Sequence, residues 1–457
     1  MSNTSAGRAA QVAAQLEIER RDAGLSWLPP EQPLDMPTQD FDAPPSCRLA
    51  PRDAGMRWPA RAALAAGTVL LTIGFAYELY LVLSFVRITP VQIVFLILST
   101  LAFAWIALGS LSAAIGLMPL FAGERTDTLE IPSATEPLHQ RVALLFPVYH
   151  EDCARIAGTI EAMALELSAM GRVHHFDVFI LSDSRSAEAG FREEQVFAAL
   201  AERLKGVINV YYRRRKQNTA KKAGNIADWV QRFGGGYDSF VVLDADSVMS
   251  GETLVRLALA MQNNPCAGLI QTVPRLVGGR TIFQRLQQFA AGVYGPAVAA
   301  GLAAWHGCQG NYWGHNAIIR TVAFASAAGL PELPGRPPFG GHIQSHDFVE
   351  AALLQRAGWE VHMAPSLEGS YEGAPPALPE LVARDRRWAQ GNLQHLAIVA
   401  RRGLTRMARI HLGMGACAYL VSAIWAASLA VGVVLALQGT QVIPTYFLDS
   451  KTLFPIW

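Results

Sequence analysis

The sequence predicts an α/β domain, a mainly parallel sheet covered by helices, inserted between transmembrane α-helices. Three observations predict it. Short apolar runs alternate with helix-like segments through the middle of the chain, longer apolar stretches flank that middle, and charge is scarce. Of 457 residues, 51% are apolar and only 16% are charged, against roughly a quarter charged in ordinary soluble domains. That deficit excludes a disordered chain and argues against a wholly soluble one. The formal net charge is +1, so no overall field draws in nucleic acid, and no nucleic-acid partner is expected. The five cysteines, Cys47, Cys153, Cys266, Cys308 and Cys417, form no CxxC pair. That usage speaks against a disulfide framework or a zinc cluster.

Residues 1–60 are rich in Ala, Pro and charge and read as a mobile cytoplasmic N-terminal arm. The start of the chain lacks the charged-then-apolar order of a secretory signal. Residues 61–121 read as a transmembrane hairpin. The apolar stretches 62–86 and 91–120 each exceed the ~20 residues that a helix needs to cross a bilayer. A third stretch, 412–437, belongs to a region 411–457 read as a transmembrane helix and the start of a C-terminal membrane region. Arg48, Arg52, Arg57 and Arg61 precede the first span, and Arg401, Arg402, Arg406 and Arg409 precede the third. The positive-inside rule puts both clusters, and residues 122–410 between the spans, in the cytoplasm. Glu78, the one charge in the first span, fits either an intramembrane functional acid or a helix contact.

Within 122–410 the strand-like runs are VALLFPVY (142–149), FDVFILSDS (176–184), VINVYYR (207–213), SFVVLDADS (239–247) and AGLIQTV (267–273). Helix-like segments at 152–170, 187–205, 221–233 and 251–262 separate them. Such alternation predicts a sheet buried on both faces. Ligands in these folds sit at the carboxyl ends of the strands. The segment 281–309, rich in Gln, Ala, Gly and aromatics, reads as one or two interfacial amphipathic helices or a buried one.

Polar residues at strand ends therefore carry the chemistry. Asp183 closes one strand, and Asp244 and Asp246 close another as an Asp-Ala-Asp triplet. Alternate residues on a strand point the same way, so the last two carboxylates would converge. Their repulsion favours a cation between them, and a hard divalent ion bridging to phosphate oxygens suits such ligands. Helix capping by Asp246 or Ser247 is the structural alternative. The run 213–229 is the densest in basic residues and contains Lys222-Ala-Gly-Asn225 at the start of a helix-like segment. Lys222 and Asn225 there suit a diphosphate, whereas Arg213 to Lys216 read as a solvated basic face. Asp347, after Ser345-His346, is a candidate helix N-cap and also has the profile of a general base at a helix start. Arg384-Asp-Arg-Arg387-Trp388 offers anion contact beside a flat surface that can stack a sugar ring, or an interfacial anchor. His342 and His346 have i,i+4 spacing, but the surrounding Gly and Pro residues argue for a loop rather than a metal pair.

Taken in order, Asp183, Lys222 to Asn225, Asp244-x-Asp246, Asp347 and Arg384-x-x-Arg387-Trp388, set between membrane spans, resemble the processive family-2 glycosyltransferases, the cellulose- and hyaluronan-synthase-like enzymes. The pattern of that family is D, DxD, an Asp preceded by Thr-Glu, and QxxRW. Here His346 stands for the Glu and Arg384 for the Gln. These departures, the long arm and ARDRRWAQGNLQH are similar to the branch that makes osmoregulated periplasmic glucans in Gram-negative bacteria. The resemblance implies a GT-A-type nucleotide-sugar-binding fold and an inverting enzyme of the bacterial inner membrane, with its catalytic domain cytoplasmic. It further implies UDP-glucose as donor, a growing glucan chain as acceptor, Mg2+ or Mn2+ as cofactor and an acyl carrier protein as partner. By resemblance Asp183 contacts the uridine, Asp244 the nucleotide, and Asp246 the metal at the diphosphate. Asp347 is the general base, Arg387 steadies the diphosphate, and Trp388 forms the acceptor platform. Arg384 exchanges an amide that donates and accepts for a fixed cation.

Rival readings are another processive polysaccharide synthase, cellulose-like, and a non-catalytic membrane sensor of nucleotide sugars. A transporter is disfavoured by the few spans and the lack of inverted repeats. The chain stops at Phe454-Pro455-Ile456-Trp457, where family members continue into further spans. The expectation is a C-terminally truncated polypeptide that keeps every catalytic motif but lacks much of the export channel.

Overall fold

The computed structural model describes residues 28–43, 58–84 and 88–438. Arg48, Arg52, Arg57 and the last stretch of the expected C-terminal membrane region lie outside the described residues. Two long helices come first, α1 (Trp58–Ser84) and α2 (Pro90–Phe121). Thr89 and Gln92 close a capping box at the start of α2, with Pro90 in its first turn, where a missing N–H costs nothing. The α/β unit follows as β1 (Val142–Val148), α3 (Cys153–Ala169), β2 (Phe176–Ser182), α4 (Ala187–Arg203), β3 (Asn209–Arg214), α5 (Lys221–Phe233) and β4 (Ser239–Val242). It continues through β5 (Val248–Met249), α6 (Gly251–Asn263), β6 (Ala267–Thr272), β7 (Arg275–Val277), α7 (Ile282–His306), β8 (Ala317–Arg320) and α8 (Thr321–Ala327). The last elements are α9 (His346–Arg356), β9 (Glu360–Ala364), β10 (Ser370–Gly373), α10 (Leu378–Ile398) and α11 (Arg406–Leu437). By length and apolar composition α1, α2 and α11 can each cross a membrane.

Seven strands form the main sheet in the order β3-β2-β1-β4-β8-β6-β9. β1 pairs in parallel with both β2 and β4, and β6 with β9. β8 is the exception, antiparallel to both β4 and β6. The fold is thus an α/β GT-A-type domain set between helices able to span a membrane. The sheet is buried on both faces because successive side chains point to opposite sides. Val142, Leu144 and Phe146 pack with Ile156, Ile160 and Leu200 on one face. Ala143, Leu145 and Phe179 pack with Trp229, Phe233 and Phe240 on the other. A small second sheet, β5-β10-β7, lies beside the main one.

Three expectations need correction. β4 ends at Val242, so Asp244 and Asp246 stand in the turn beyond the strand and not on it. The strand-alternation argument for their convergence does not apply. The helix that follows is capped by Ser250, whose hydroxyl accepts from the Thr253 N–H, and neither Asp246 nor Ser247 caps it. Part of the stretch read as a mobile arm is fixed. Residues 28–43 run as an extended strap in which Gln32 N–H donates to Arg232 O and Gln39 N–H to Gly329 O. Met36 and Phe41 are buried, and Arg356 donates to the Asp40 carbonyl at 2.9 Å. Pro29, Pro30, Pro33 and Pro37 forbid a helix here, but they suit an extended chain docked through backbone groups.

Helix α7 answers the open reading of 281–309 with both alternatives. Its first half exposes Ile282, Leu286, Phe289 and Val293, a one-faced stripe of helical period. Its second half is buried on α2, where Gly301 meets the Ser112 backbone and Gly116 meets the Ala297 carbonyl. Trp305 Nε1 donates to Ser112 Oγ at 3.0 Å, and Arg61 clamps the carbonyls of Trp305 and His306 at 2.8 and 2.9 Å. Small residues let the two backbones approach. Glu78 Oε2 is buried without a hydrogen-bond partner among the described residues. Replacing Gly301 with Leu should force α7 off α2 and lower stability by at least about 1–3 kcal/mol. An unchanged thermal unfolding midpoint in detergent would contradict the seam.

Candidate active site

The sheet order turns at β1, since β2 and β3 lie on one side of it and β4 on the other. Ligands bind at such switch points, beyond the carboxyl ends of the strands. The residues after β1, β2 and β4 therefore share one cleft with the start of α5.

Lys222 joins its walls. Its ammonium donates to Asp244 Oδ1 at 2.5 Å and to the Gly314 carbonyl at 2.7 Å. Ala220 and Lys221 enter the helix with left-handed backbone, φ 53° and 51°, and that turn directs the next side chain across the cleft. Withdrawal from water pushes the Asp244 carboxyl up, but Lys222, His315 and His346 outweigh it and hold it below its ordinary value. At Asp246 burial and the neighbouring Asp244 win instead, and they raise it against the weaker pull of His315 and Arg155. Across from Asp246, His315 Nε2 lies 3.2 Å from Glu372 Oε2. The Glu372 carboxyl is raised by burial and, against the pull of His315, by Asp246 and Asp244.

Gly314 adopts φ +89°, and a Cβ on it would stand 3.4 Å from Asp347 Oδ2. The loop whose carbonyl receives Lys222 thus also packs on Asp347, in the first turn of α9. Ser345 Oγ donates to Asp347 Oδ1 at 3.1 Å. The loop before α9 is held in turn by α10. Gln394 accepts from the Gln344 N–H at 2.9 Å and donates to the carbonyls of Gly340 and His342, both at 3.2 Å. Gly391 lies directly on the Ser345 backbone. The second half of ARDRRWAQGNLQH is therefore a seat for the residues before Asp347. His342 belongs to that loop, and His346 pairs with Glu350, so the two histidines do not form a metal pair.

Asp183 is buried and gripped by the Arg215 fork at 2.8 and 2.7 Å. Asn218 donates to its carbonyl. Asn225 is 1% exposed. Its Nδ2 donates to Leu181 O at 2.8 Å, and its Oδ1 accepts from Arg213. It fastens α5 to the end of β2 instead of facing the cleft. On α10, Arg384 lies over the Trp388 ring at 4.5 Å, and its charge reaches Glu372. Trp388 is half exposed. Arg387 is exposed and makes no ion pair among the described residues.

The sequence reading passes over Glu151, Gly314, His315 and Glu372, and its solvated basic face at 213–216 needs correction, because Arg213 is buried and Arg215 turns inward to Asp183. Glu151 follows β1 as Asp183 follows β2, and the strand-end rule applied to β1 points to it. Burial and the nearby Asp244 and Glu193 push its carboxyl up to about 7. His315 and Glu372 carry no local signal, because β8 and β10 bring them in from remote chain positions.

The donor set accommodates a divalent cation. Asp244 and Asp246 repel each other, which adds to burial in raising Asp246, and a divalent cation between them would relieve that repulsion. Among the described residues no three acidic, His or Cys side chains converge closely enough to hold an ion alone. Magnesium characteristically binds in that way, through one or two carboxylates completed by substrate phosphates and water.

Carboxylates and a lysine gathered at the switch point of a largely parallel sheet fit the GT-A class of nucleotide-sugar glycosyltransferase. The model of the family described as glycosyl transferase family group 2 matches residues 239–453. The glucans biosynthesis glucosyltransferase H of Xylella fastidiosa is 47% identical over 94% of this chain and 68% of its own length. Its namesake from Rhodopseudomonas palustris (strain BisA53) is 48% identical over 98% of this chain and 63% of its own length, and that from Vibrio cholerae 47% over 95% and 60%. A solved mannosyltransferase of Pyrobaculum calidifontis, in complex with GDP-Man and Mn2+, superposes with TM-score 0.47 and 14% identity over 78% of this chain and 96% of its own. The chain belongs to the glucans biosynthesis glucosyltransferase H family and spans about two thirds or less of those relatives' length.

Lys222→Gln should leave Asp244 and Asp246 as neighbouring anions with no fixed cation. Affinity for UDP should then fall about tenfold or more, the weight of a hydrogen bond between charged groups. Calorimetry returning the wild-type affinity would remove Lys222 from the site.

Proposed function

We propose that the chain is an inverting glucosyltransferase that builds the β-glucan backbone of osmoregulated periplasmic glucans from UDP-glucose, at the bacterial inner membrane with its catalytic domain in the cytoplasm. The observation that carries the reading is the Lys222 bridge. It ties the Asp244 turn to the Gly314 loop, which packs on Asp347, so a base stands beside a donor site. The curated relatives bear the name of glucan-synthesising glucosyltransferases, and three helices have the length and composition to cross a bilayer.

Asp183 and Asp244 bind the nucleotide, with Lys222 beside the diphosphate. Asn225 acts at one remove, by fixing α5. Asp246, with Glu372 near it, would hold Mg2+ or Mn2+ at the diphosphate. The ion supplies neutralisation of the charge that grows on the leaving group. Asp347 takes the proton from an acceptor glucan hydroxyl, and the oxygen attacks the anomeric carbon opposite the diphosphate. An α-linked donor thereby yields a β-linked product. Trp388 offers the acceptor a flat face, and the Arg384 guanidinium fixes the ring from its other side. Arg387, exposed on α10, is free to meet the diphosphate. Export coupled to synthesis and an acyl carrier protein partner belong to the same proposal, on the resemblance alone.

Asp347→Asn should bind UDP-glucose normally and make no polymer. Wild-type synthesis of labelled glucan in membranes carrying that variant would refute the base. Asp246→Ala should lose the part of UDP affinity that Mg2+ adds, and an unchanged metal increment in calorimetry would count against its role. A panel of sugar nucleotides tests the donor, with turnover of UDP-glucose above the others expected.

A further inference from the structure

We infer that His346 and Glu350 form a buried ion pair that positions Asp347 and keeps the charge of Glu350 off the base. The inference rests on reading Asp347 as that base. His346 opens α9 and Glu350 lies one turn on, at the i,i+4 spacing that puts two side chains on one face. Nδ1 and Oε2 stand 3.0 Å apart. Glu350 is 1% exposed and His346 9%. Neither atom is hydrogen-bonded to any other group among the described residues. A carboxylate so withdrawn from water keeps its charge only beside a partner, and His346 is the partner it has.

Charged and titratable groups from several elements surround this pair. From α5 comes Lys222, from the turn after β4 Asp244, and from α9 itself Asp347. Tyr312 lies in the loop after α7, and its buried hydroxyl has no partner among the described residues. Burial, Glu350, Asp347 and Asp244 together hold its proton on. His315 faces Asp244 from the same loop. His395, on α10, feels Asp347. Burial pulls the His346 imidazole down, but Glu350 and Asp347 outweigh it, with Lys222 opposing them, and the proton is held above the ordinary histidine range. The charged form is therefore present below that raised value and is lost as pH rises through it. While it lasts the pair is neutral. Once the proton leaves, Glu350 is an uncompensated anion one turn from Asp347, in a cleft that must admit a diphosphate.

The pair also explains a departure from the family pattern. A Glu at 346 would face Glu350 as a like charge at i,i+4. His346 and Glu350 account for each other.

UDP-glucose turnover by the full chain is followed from about pH 5.5 to about pH 9.5, a span chosen around the histidine range. The wild type, Glu350→Gln and the His346→Gln/Glu350→Gln double variant are compared. Wild-type kcat/KM should fall on the alkaline side. In Glu350→Gln no anion is left to be uncovered when His346 loses its proton, and the fall should disappear. The neutral double variant should lose this limb as well. A limb kept in Glu350→Gln or in the double variant overturns the pairing. If neither variant folds, 15N-histidine spectra of the wild type decide, with the His346 signal identified by its loss in His346→Gln. A midpoint above about 6.5 supports the pairing, and one at or below it overturns it. The two readings fail separately. An inactive Asp347→Asn with the limb kept in Glu350→Gln refutes the pair alone, whereas an active Asp347→Asn refutes the base.

Discussion

The ammonium of Lys222 lies between a turn and a loop that are far apart in sequence. It donates to Asp244 after β4 and to the carbonyl of Gly314 before β8. Two hydrogen bonds from one cation hold together the Asp244 side of the cleft and the wall that packs on Asp347. Around it stand Asp244, Asp246, Glu372 and Glu151, and the last three have carboxyls pushed above their ordinary range. Without a fixed cation such a crowd would neutralise itself by taking up protons. Lys222 keeps at least one member charged, and the orientation of the remainder follows from that.

The other elements are arranged to keep this contact in place. Asn225 ties α5 to the end of β2 from beneath. Arg215 holds Asp183 and also donates to the Lys221 carbonyl at 2.9 Å, so the loop before α5 is anchored next to the lysine itself. The antiparallel entry of β8 between β4 and β6 delivers Gly314, His315 and Asn316 to the carboxyl end of β4. A parallel strand in that position would present the residues that follow it, and the loop before β8 would leave at the opposite edge.

Much of this is legible in the sequence where the signal is local. The start of β1 and the limits of α5 follow from apolar runs and helical periodicity, and strand ends direct attention to Asp183 and Asp244, which stand beyond β2 and β4. β8 and β10 are four residues each and take their places from partners remote in sequence, which no window of residues encodes. The run SFVVLDADS reads as one strand, yet β4 stops at Val242 and the aspartates occupy a turn. The strap at 28–43 escapes notice because its stability lies in backbone bonds to other elements, and composition is blind to those. Asn225 is singled out for the cleft, but its amide points inward, and direction is a property of the packed helix. His346 stands out as a departure, and only the fold supplies Glu350 as its reason.

One contact joins this chemistry to the helices around it. Gly391 rests on Ser345, and further along the same face of α10 Asn392 and His395 press against Gly415 of α11. There is no side chain at either glycine to take up slack. α10 is therefore held at two points, one under the residue two places before Asp347 and the other on a helix able to cross a bilayer. With no side chain at either point to yield, the spacing between Asp347 and α11 is fixed by backbone alone, and a side chain added at Gly391 or Gly415 would be felt at both ends of α10.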